Sequence, residues 1–192
     1  MGRVHEAIDD RLAGWLESQP VFFVASAPMD PEGHVNCSPK GNRDEFAVLG
    51  PDRVAYLDQT GSGIETVAHV QENARIVLMF CAFDGPPRIV RLHGRGRVVT
   101  GNDAEFAEIG QRFPRSSDVG VRSIVTVDVT RVSDSCGYAV PLMSFKSHRP
   151  TLDEWADRKG RAGVYAYWAE KNSESIDGAP GLPHSGGAVE PG

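Results

Sequence analysis

Short runs of apolar residues, separated by turns rich in Gly, Pro and Asp, recur over the first 135 residues of the chain. Runs of this length, several with apolar and polar positions in alternation, predict β-strands. The predicted strands cover 21–25, 34–38, 46–49, 53–57, 74–82, 88–99 and 123–132. Gly94 and Gly96 interrupt the longest run and predict a bulge or sharp bend. Six or seven short antiparallel strands with a few helices around them indicate a small barrel.

Four segments carry helical spacing or helical start signals. An amphipathic opening helix is predicted over 3–17, and further helices over 62–72 and 103–113. Thr151-Leu-Asp-Glu154 reads as a capping box before a helix that reaches Lys171. We therefore expect one domain over residues 1–172, with N-terminal and C-terminal helices, followed by a poorly structured tail, 173–192, rich in Gly, Pro and Ser.

Composition narrows the class of protein. A net charge of −6 argues against nucleic acid as a partner, because no basic excess is available to neutralise phosphates. No apolar run reaches the roughly 18 residues that a membrane span needs. The three cysteines (37, 81 and 136) are widely spaced and odd in number, as expected in a reducing compartment. The sequence thus predicts a cytoplasmic protein with no membrane or nucleic-acid partner.

A polar, glycine-rich loop, Thr60-Gly-Ser-Gly63, stands between a predicted strand and a predicted helix. Hydroxyl groups and free backbone amides at a helix N-terminus readily hold an anion such as phosphate. The alternative is a simple strand-to-helix connection in which Ser62 is the N-cap. The loop by itself leaves both open.

Other chemistry-bearing residues give weaker signals. The six histidines lack metal-ligand spacing, so no metal site is predicted, and His69 and His93 are more often structural. Cys37 and Cys81 lie in apolar strands and are expected to be buried and inert. Cys136 lies in a loop, from which it would reach a cofactor or substrate, or simply pack. No hydrolase elbow or Rossmann motif is present.

Four segments, taken in order, resemble the pyridoxamine 5′-phosphate oxidase-like family of flavin-binding split barrels. They are His34-Val-Asn-Cys-Ser-Pro-Lys-Gly41, Ala55-Tyr-Leu-Asp-Gln-Thr60, Glu72-Asn-Ala-Arg-Ile-Val-Leu-Met-Phe80 and Arg88-Ile-Val-Arg-Leu-His-Gly94. The likeness runs from about residue 21 to residue 132. It implies a mainly β protein with flanking helices, an antiparallel split β-barrel of the FMN-binding type. It also implies a homodimer with FMN held at the subunit interface.

The resemblance assigns site residues one at a time. Lys40 matches a phosphate-facing lysine, Thr60 a hydroxyl residue at a strand end, and Arg91 a family arginine. With the loop, the expected cofactor-binding set is Ser38, Lys40, Thr60, Gly61, Ser62, Gly63, Thr66 and Arg91. Ile64-Glu-Thr66 departs from the family, whose oxidases carry a basic pair there. The elements that hold pyridoxal phosphate are not recognisable, so vitamin B6 oxidation itself is not expected.

The resemblance therefore implies an FMN-dependent oxidoreductase that acts on an unidentified small molecule, with NADPH or NADH as candidate electron donor. Flavin chemistry needs no dedicated acid or base, and no catalytic residue is assigned. Three alternatives stay open. They are a deazaflavin (F420)-dependent reductase, a flavin- or heme-binding protein without turnover, and an interaction module that has lost its cofactor. A heme ligand would be His69 or His93.

Overall fold

The computed structural model describes residues 2–182 of the chain, so the last ten residues of the predicted tail lie outside the described residues. Eight strands are found in this range: β1 Val4–His5, β2 Val21–Ser26, β3 Asn36–Gly41, β4 Phe46–Gly50, β5 Arg53–Gln59, β6 Arg75–Cys81, β7 Ile89–Val99 and β8 Val121–Ser135. The helices are α1 Asp10–Glu17, α2 Glu65–Asn73, α3 Ala104–Gly110 and α4 Thr151–Lys171, with a 3₁₀ turn at Arg43–Glu45. The seven predicted strands are confirmed, with ends that differ by a few residues.

The strands form one antiparallel sheet in the order β3-β2-β6-β7-β8-β5-β4, and β1 adds to β8. The sheet curls into a half-barrel with the helices on its flanks, which confirms the predicted split barrel. Strand register shifts between His93 and Gly94, as the glycine pattern predicted. Gly94 is required for close approach, because a Cβ there would collide with the Asp128 carbonyl oxygen of β8.

Aromatic residues from four strands fill the interior of the half-barrel. Phe22 of β2 stacks on Phe80 of β6 with ring centroids 5.2 Å apart, and Phe46 and Tyr56 pack against Phe22 at 5.4 and 5.7 Å. The inward positions alternate with half-exposed ones along β2, as a strand with one buried face requires. Burying aromatic side chains supplies much of the stabilising free energy of a small barrel.

Two predicted helix starts and one predicted capping box are wrong, whereas the helix that reaches Lys171 is confirmed. Val4 and His5 pair with β8, and the first helix begins at Asp10, because the Asp9 carboxylate accepts the Leu12 amide (2.7 Å) as N-cap. Helix α2 begins at Glu65 after Ile64, so Ser62 is not its N-cap. Thr151 is the first residue of α4 and Pro150 occupies the N-cap position, so Thr151 forms no capping box.

Helix α4 bends sharply at Gly160, whose φ of 63° and ψ of 169° are not helical. The bend brings Trp155 against Tyr167, with ring centroids 5.0 Å apart. Beyond α4 the chain turns back, with a β-bridge between Glu174 and Pro180. Leu182 then packs on α2 and its preceding loop, so residues 173–182 of the predicted tail are folded against the domain. Within the described range, no helix combines the length and apolar character needed to cross a membrane.

Candidate functional site

A cleft of about 1940 Å³ opens between β3, the loop that follows β5, and the irregular segment before α4. Six of the eight predicted cofactor-binding residues line it: Ser38, Lys40, Thr60, Gly61, Ser62 and Gly63. Thr66 is buried beside the cleft, where its hydroxyl accepts a hydrogen bond from Asn36 Nδ2 (2.9 Å). Arg91 does not line the cleft, and it donates to Ser135 Oγ on β8 (3.2 Å).

A buried carboxylate, Asp58, organises the cations of the cleft. Lys40 Nζ lies 2.9 Å from Asp58 Oδ1, and Arg122 lies 2.8 Å from Asp58 Oδ2. Burial by itself would raise the pKa of Asp58. The charges of Arg122 and Lys40 outweigh it and lower that pKa to about 2. Two cations and one carboxylate leave a single positive charge on this group.

Arg122 is the residue of the site that sequence reasoning missed. It belongs to β8 and is 7% exposed, and its remaining donors reach the Gly63 carbonyl (3.1 Å) and Asn172 Oδ1 (2.8 Å). A signal for it exists in the sequence, because Asp58 directly follows the apolar run Val54-Ala-Tyr-Leu57 in a predicted buried strand. A carboxylate buried in a strand requires a cationic partner from a neighbouring strand.

Two carbonyl groups of the glycine loop accept hydrogen bonds from buried side chains. Asn172, at the end of α4, donates from Nδ2 to the Gly61 carbonyl (3.1 Å), while Arg122 holds the Gly63 carbonyl. In a trans peptide the following N–H points away from the carbonyl, so the amides of Ser62 and Ile64 face away from these partners. Within residues 2–182, the amides of Gly61, Ser62 and Gly63 donate to no protein acceptor.

Thr60 is committed to holding the loop in place. Its hydroxyl donates to the Gly120 carbonyl (2.8 Å) and accepts a hydrogen bond from Trp168 Nε1 (2.8 Å). A hydroxyl has one proton to donate, so Thr60 has only an acceptor position left. Its side chain in this structure anchors the loop to Gly120, the residue before β8, and to α4.

One carboxylate lies against the loop. The Glu65 side chain folds back over Gly63, where a Cβ at position 63 would collide with it. Negative charge at this point opposes the binding of an anion to the loop amides. A second carboxylate of the cleft, Glu45, is buried and accepts hydrogen bonds from Asn42 and Gln59. Burial raises the pKa of Glu45, partly offset by these hydrogen bonds.

The remaining candidates fall in different places. His69 is fully buried with Nδ1 3.0 Å from Ser26 Oγ, and burial lowers its pKa. Cys81 is buried as predicted, and burial raises its pKa. The prediction for Cys37 is wrong, because it is exposed and lines the cleft; the outer edge strand β3 leaves that face uncovered. Over residues 2–182, no group of three or more potential metal ligands occurs.

Fold and site together define a split-barrel protein whose cleft presents free loop amides beside a partly neutralised cation pair. The chain belongs to the pyridoxamine 5′-phosphate oxidase family, whose sequence model matches residues 8–136. A curated relative from Aspergillus flavus, the pyridoxamine 5′-phosphate oxidase family protein ustO, is 42% identical over 192 residues, covering 93% of this chain and 77% of the relative.

Solved structures support the same fold. Two crystal structures of HupZ from Group A Streptococcus, one of them of a single-residue variant, are each 18% identical to this chain. The variant superposes with a TM-score of 0.53, covering 67% of this chain and 99% of HupZ. The other structure gives 0.52, with 65% and 91% covered. The resemblance predicted from the sequence is therefore confirmed at the level of family and fold.

Proposed function

We propose that this protein binds a flavin, FMN, in the cleft and uses it as an oxidoreductase acting on a small molecule. The observation that carries the proposal is the glycine loop, whose carbonyls are held by Arg122 and Asn172 and whose three amides are free of protein acceptors. Free amides next to a helix N-terminus are a suitable partner for a phosphate group.

The residues present fit a flavin mononucleotide. Lys40 and Arg122 line the cleft, and after neutralisation by Asp58 they contribute one net positive charge. That suits a single phosphate held mainly by amides better than the longer acidic tail of a deazaflavin, which needs more cations. Thr60 and Asn172 support the loop, while Glu65 lies against it and weakens the grip.

When bound, a flavin supplies one- and two-electron transfer, and the protein supplies binding, orientation and access. No residue of the cleft is assigned as a catalytic acid or base. The buried carboxylate Glu45 is not assigned either, because it already accepts hydrogen bonds from Asn42 and Gln59. Leu142, Met143 and Phe145 expose apolar surface at the cleft edge, which supports completion of the site by a second copy. All three cysteines are free thiols, in keeping with a cytoplasmic location.

The test begins with the absorbance spectrum of the purified protein, before and after adding FMN. Oxidised-flavin bands that bleach on adding NADPH or NADH support a flavin oxidoreductase, and flavin bands that do not bleach indicate a binder without turnover. A Soret band would show that the bound cofactor is heme and not a flavin. A colourless protein that does not bind added FMN contradicts the proposal.

Matched variants then locate the phosphate. We expect Lys40→Ala to weaken FMN binding about tenfold or more, because the Lys40 ammonium lines the cleft and a charge-assisted hydrogen bond contributes roughly 1.5–3 kcal/mol. Arg122→Ala and Thr60→Ala should also weaken FMN binding, because each removes a contact that holds the glycine loop in place. Riboflavin lacks the phosphate, so its affinity should change less. Arg97→Ala is the control, since Arg97 pairs with Glu105 at the surface and does not line the cleft.

A further inference from the structure

One wall of the cleft is basic. It is formed by the irregular segment between β8 and α4, from which Lys146, Ser147, His148 and Arg149 all line the cleft. Three of these four side chains are basic, in a chain with a net charge of −6. Lys146 and Arg149 make no ion pair with any residue in the described part of the chain.

The charge of this wall differs from that of the barrel side. Lys40 and Arg122 share the Asp58 carboxylate, so their charge is largely neutralised within the protein. Lys146 and Arg149 have no such partner within the described residues, so the charge of each is available to a ligand. Glu45, Glu65 and Asp84 also line the cleft, so the positive charge is local to this wall, where two neighbouring cations attract an anionic group.

His148 gives a second, independent observation. Its ring packs against Phe145, with centroids 4.8 Å apart, and its Nε2 atom is shielded from solvent without a hydrogen-bond partner among residues 2–182. A shielded nitrogen without a partner costs free energy, and the ring contact with Phe145 keeps His148, between Lys146 and Arg149 in sequence, at the cleft lining.

We infer that the substrate of this protein is an anion, carrying a carboxylate or phosphate that binds Lys146 and Arg149 on this wall. The inference rests on the proposed function, because it names the substrate class of the same cleft. Arg149 offers paired N–H groups that match the two oxygens of a carboxylate or phosphate, and Lys146 adds a point charge. The flavin phosphate is assigned to a different part of the cleft lining, the Gly61–Gly63 loop.

Succinate and inorganic pyrophosphate serve as probes, titrated by calorimetry into the purified protein with and without FMN. We expect both to bind, and Lys146→Ala combined with Arg149→Ala to lower their affinity about tenfold or more. The Lys146→Arg, Arg149→Lys variant should retain most of the affinity. Arg158→Ala with Arg161→Ala removes the same charge from the exposed side of α4, outside the cleft lining, and should have little effect.

Several results would overturn the inference. The first is that neither anion binds the wild type. The second is that the Arg158 and Arg161 control loses as much anion affinity as the Lys146 and Arg149 variant. The third is that the Lys146→Ala, Arg149→Ala variant loses affinity for FMN while its affinities for riboflavin and succinate are unchanged. The last result would assign the basic wall to the cofactor phosphate. A protein that binds no flavin contradicts the proposed function alone, because calorimetry on the flavin-free protein still measures the anion site.

Discussion

Asn172, 111 positions after Gly61, donates a hydrogen bond to the Gly61 carbonyl at 3.1 Å and accepts one from Arg122 at 2.8 Å. Its side chain is fully buried, and it joins the end of α4 to the glycine loop and to β8. The shape of the candidate phosphate site therefore depends on a residue outside the barrel.

Replacing Asn172 with Ala should lower the free energy of unfolding by roughly 1–3 kcal/mol, because the Gly61 carbonyl and one Arg122 donor lose their buried partner. Urea unfolding measures the change. Ser173→Ala alters the exposed neighbour and should stay within about 0.5 kcal/mol of the wild type. Equal stability of the two variants would show that the Asn172 contacts contribute nothing.

The Asp58 carboxylate should make stability depend on acid pH. Its pKa is about 2 in the folded protein against an ordinary value of 3.8, so the ionised form stabilises the fold by roughly 2 kcal/mol. Because the folded pKa is depressed, this contribution is complete well above the ordinary value and is lost as the pH falls towards about 2. Urea unfolding at a series of pH values measures it.

Asp58→Asn should remove that part of the pH dependence, and it should also destabilise the neutral protein by about 3–5 kcal/mol, since Lys40 and Arg122 lose their counter-charge. Asp128→Asn is the control, because the Asp128 carboxylate is 77% exposed. If the stability of Asp58→Asn depends on acid pH as strongly as the stability of the wild type and of Asp128→Asn, the depressed pKa of Asp58 is wrong.

Removing the charge of Glu65 should strengthen FMN binding. The Glu65 carboxylate lies over Gly63, so Glu65→Gln removes repulsion of about 1 kcal/mol from the phosphate and raises FMN affinity several-fold. Fluorescence titration with FMN and riboflavin measures it, and only FMN should respond. Glu105→Gln at the surface is the control, and an FMN affinity that does not rise above it contradicts the placement of the phosphate.

The three thiols should react at different rates. Cys37 and Cys136 are exposed, whereas Cys81 is buried and burial raises its pKa, so a thiol reagent should modify two cysteines quickly and one slowly. Cys37 lines the cleft, and we expect FMN to slow its modification while leaving Cys136 unchanged. Mass spectrometry of partly modified protein assigns the sites. Protection of Cys136 instead of Cys37 would place the ligand elsewhere.

Gly160 should resist replacement although nothing crowds it. An added Cβ has open space, but φ is 63° and ψ is 169°, a region of backbone conformation that is essentially confined to glycine and costs other residues about 1–3 kcal/mol. Gly160→Ala should therefore lower the free energy of unfolding by about that amount. Gly101→Ala, also in open space but without a positive φ, should be neutral or slightly stabilising. Denaturant unfolding of both variants compares them directly.

The strands and the glycine loop were predictable because alternation, turns and glycines act over a few neighbouring residues. The start of α1 was not, because the Asp9 cap competes with helical spacing that continues back to Val4. The hydrogen-bond partners of the loop could not be predicted from local sequence patterns, because they are distant in sequence. Asn172 reaches Gly61 only because of the path that α4 takes after its bend at Gly160. The Arg122–Asp58 pair likewise depends on strand order, which places β8 beside β5.

The family match ends at residue 136, yet Trp168 and Asn172, which lie beyond it, donate hydrogen bonds to Thr60 and Gly61 at the start of the glycine loop. The inherited barrel is therefore not a self-sufficient unit, and a truncated chain ending at residue 136 would release Thr60 and Gly61 from their clamp. The loop and the segment after residue 136 therefore form one folded unit, joined by Trp168 and Asn172.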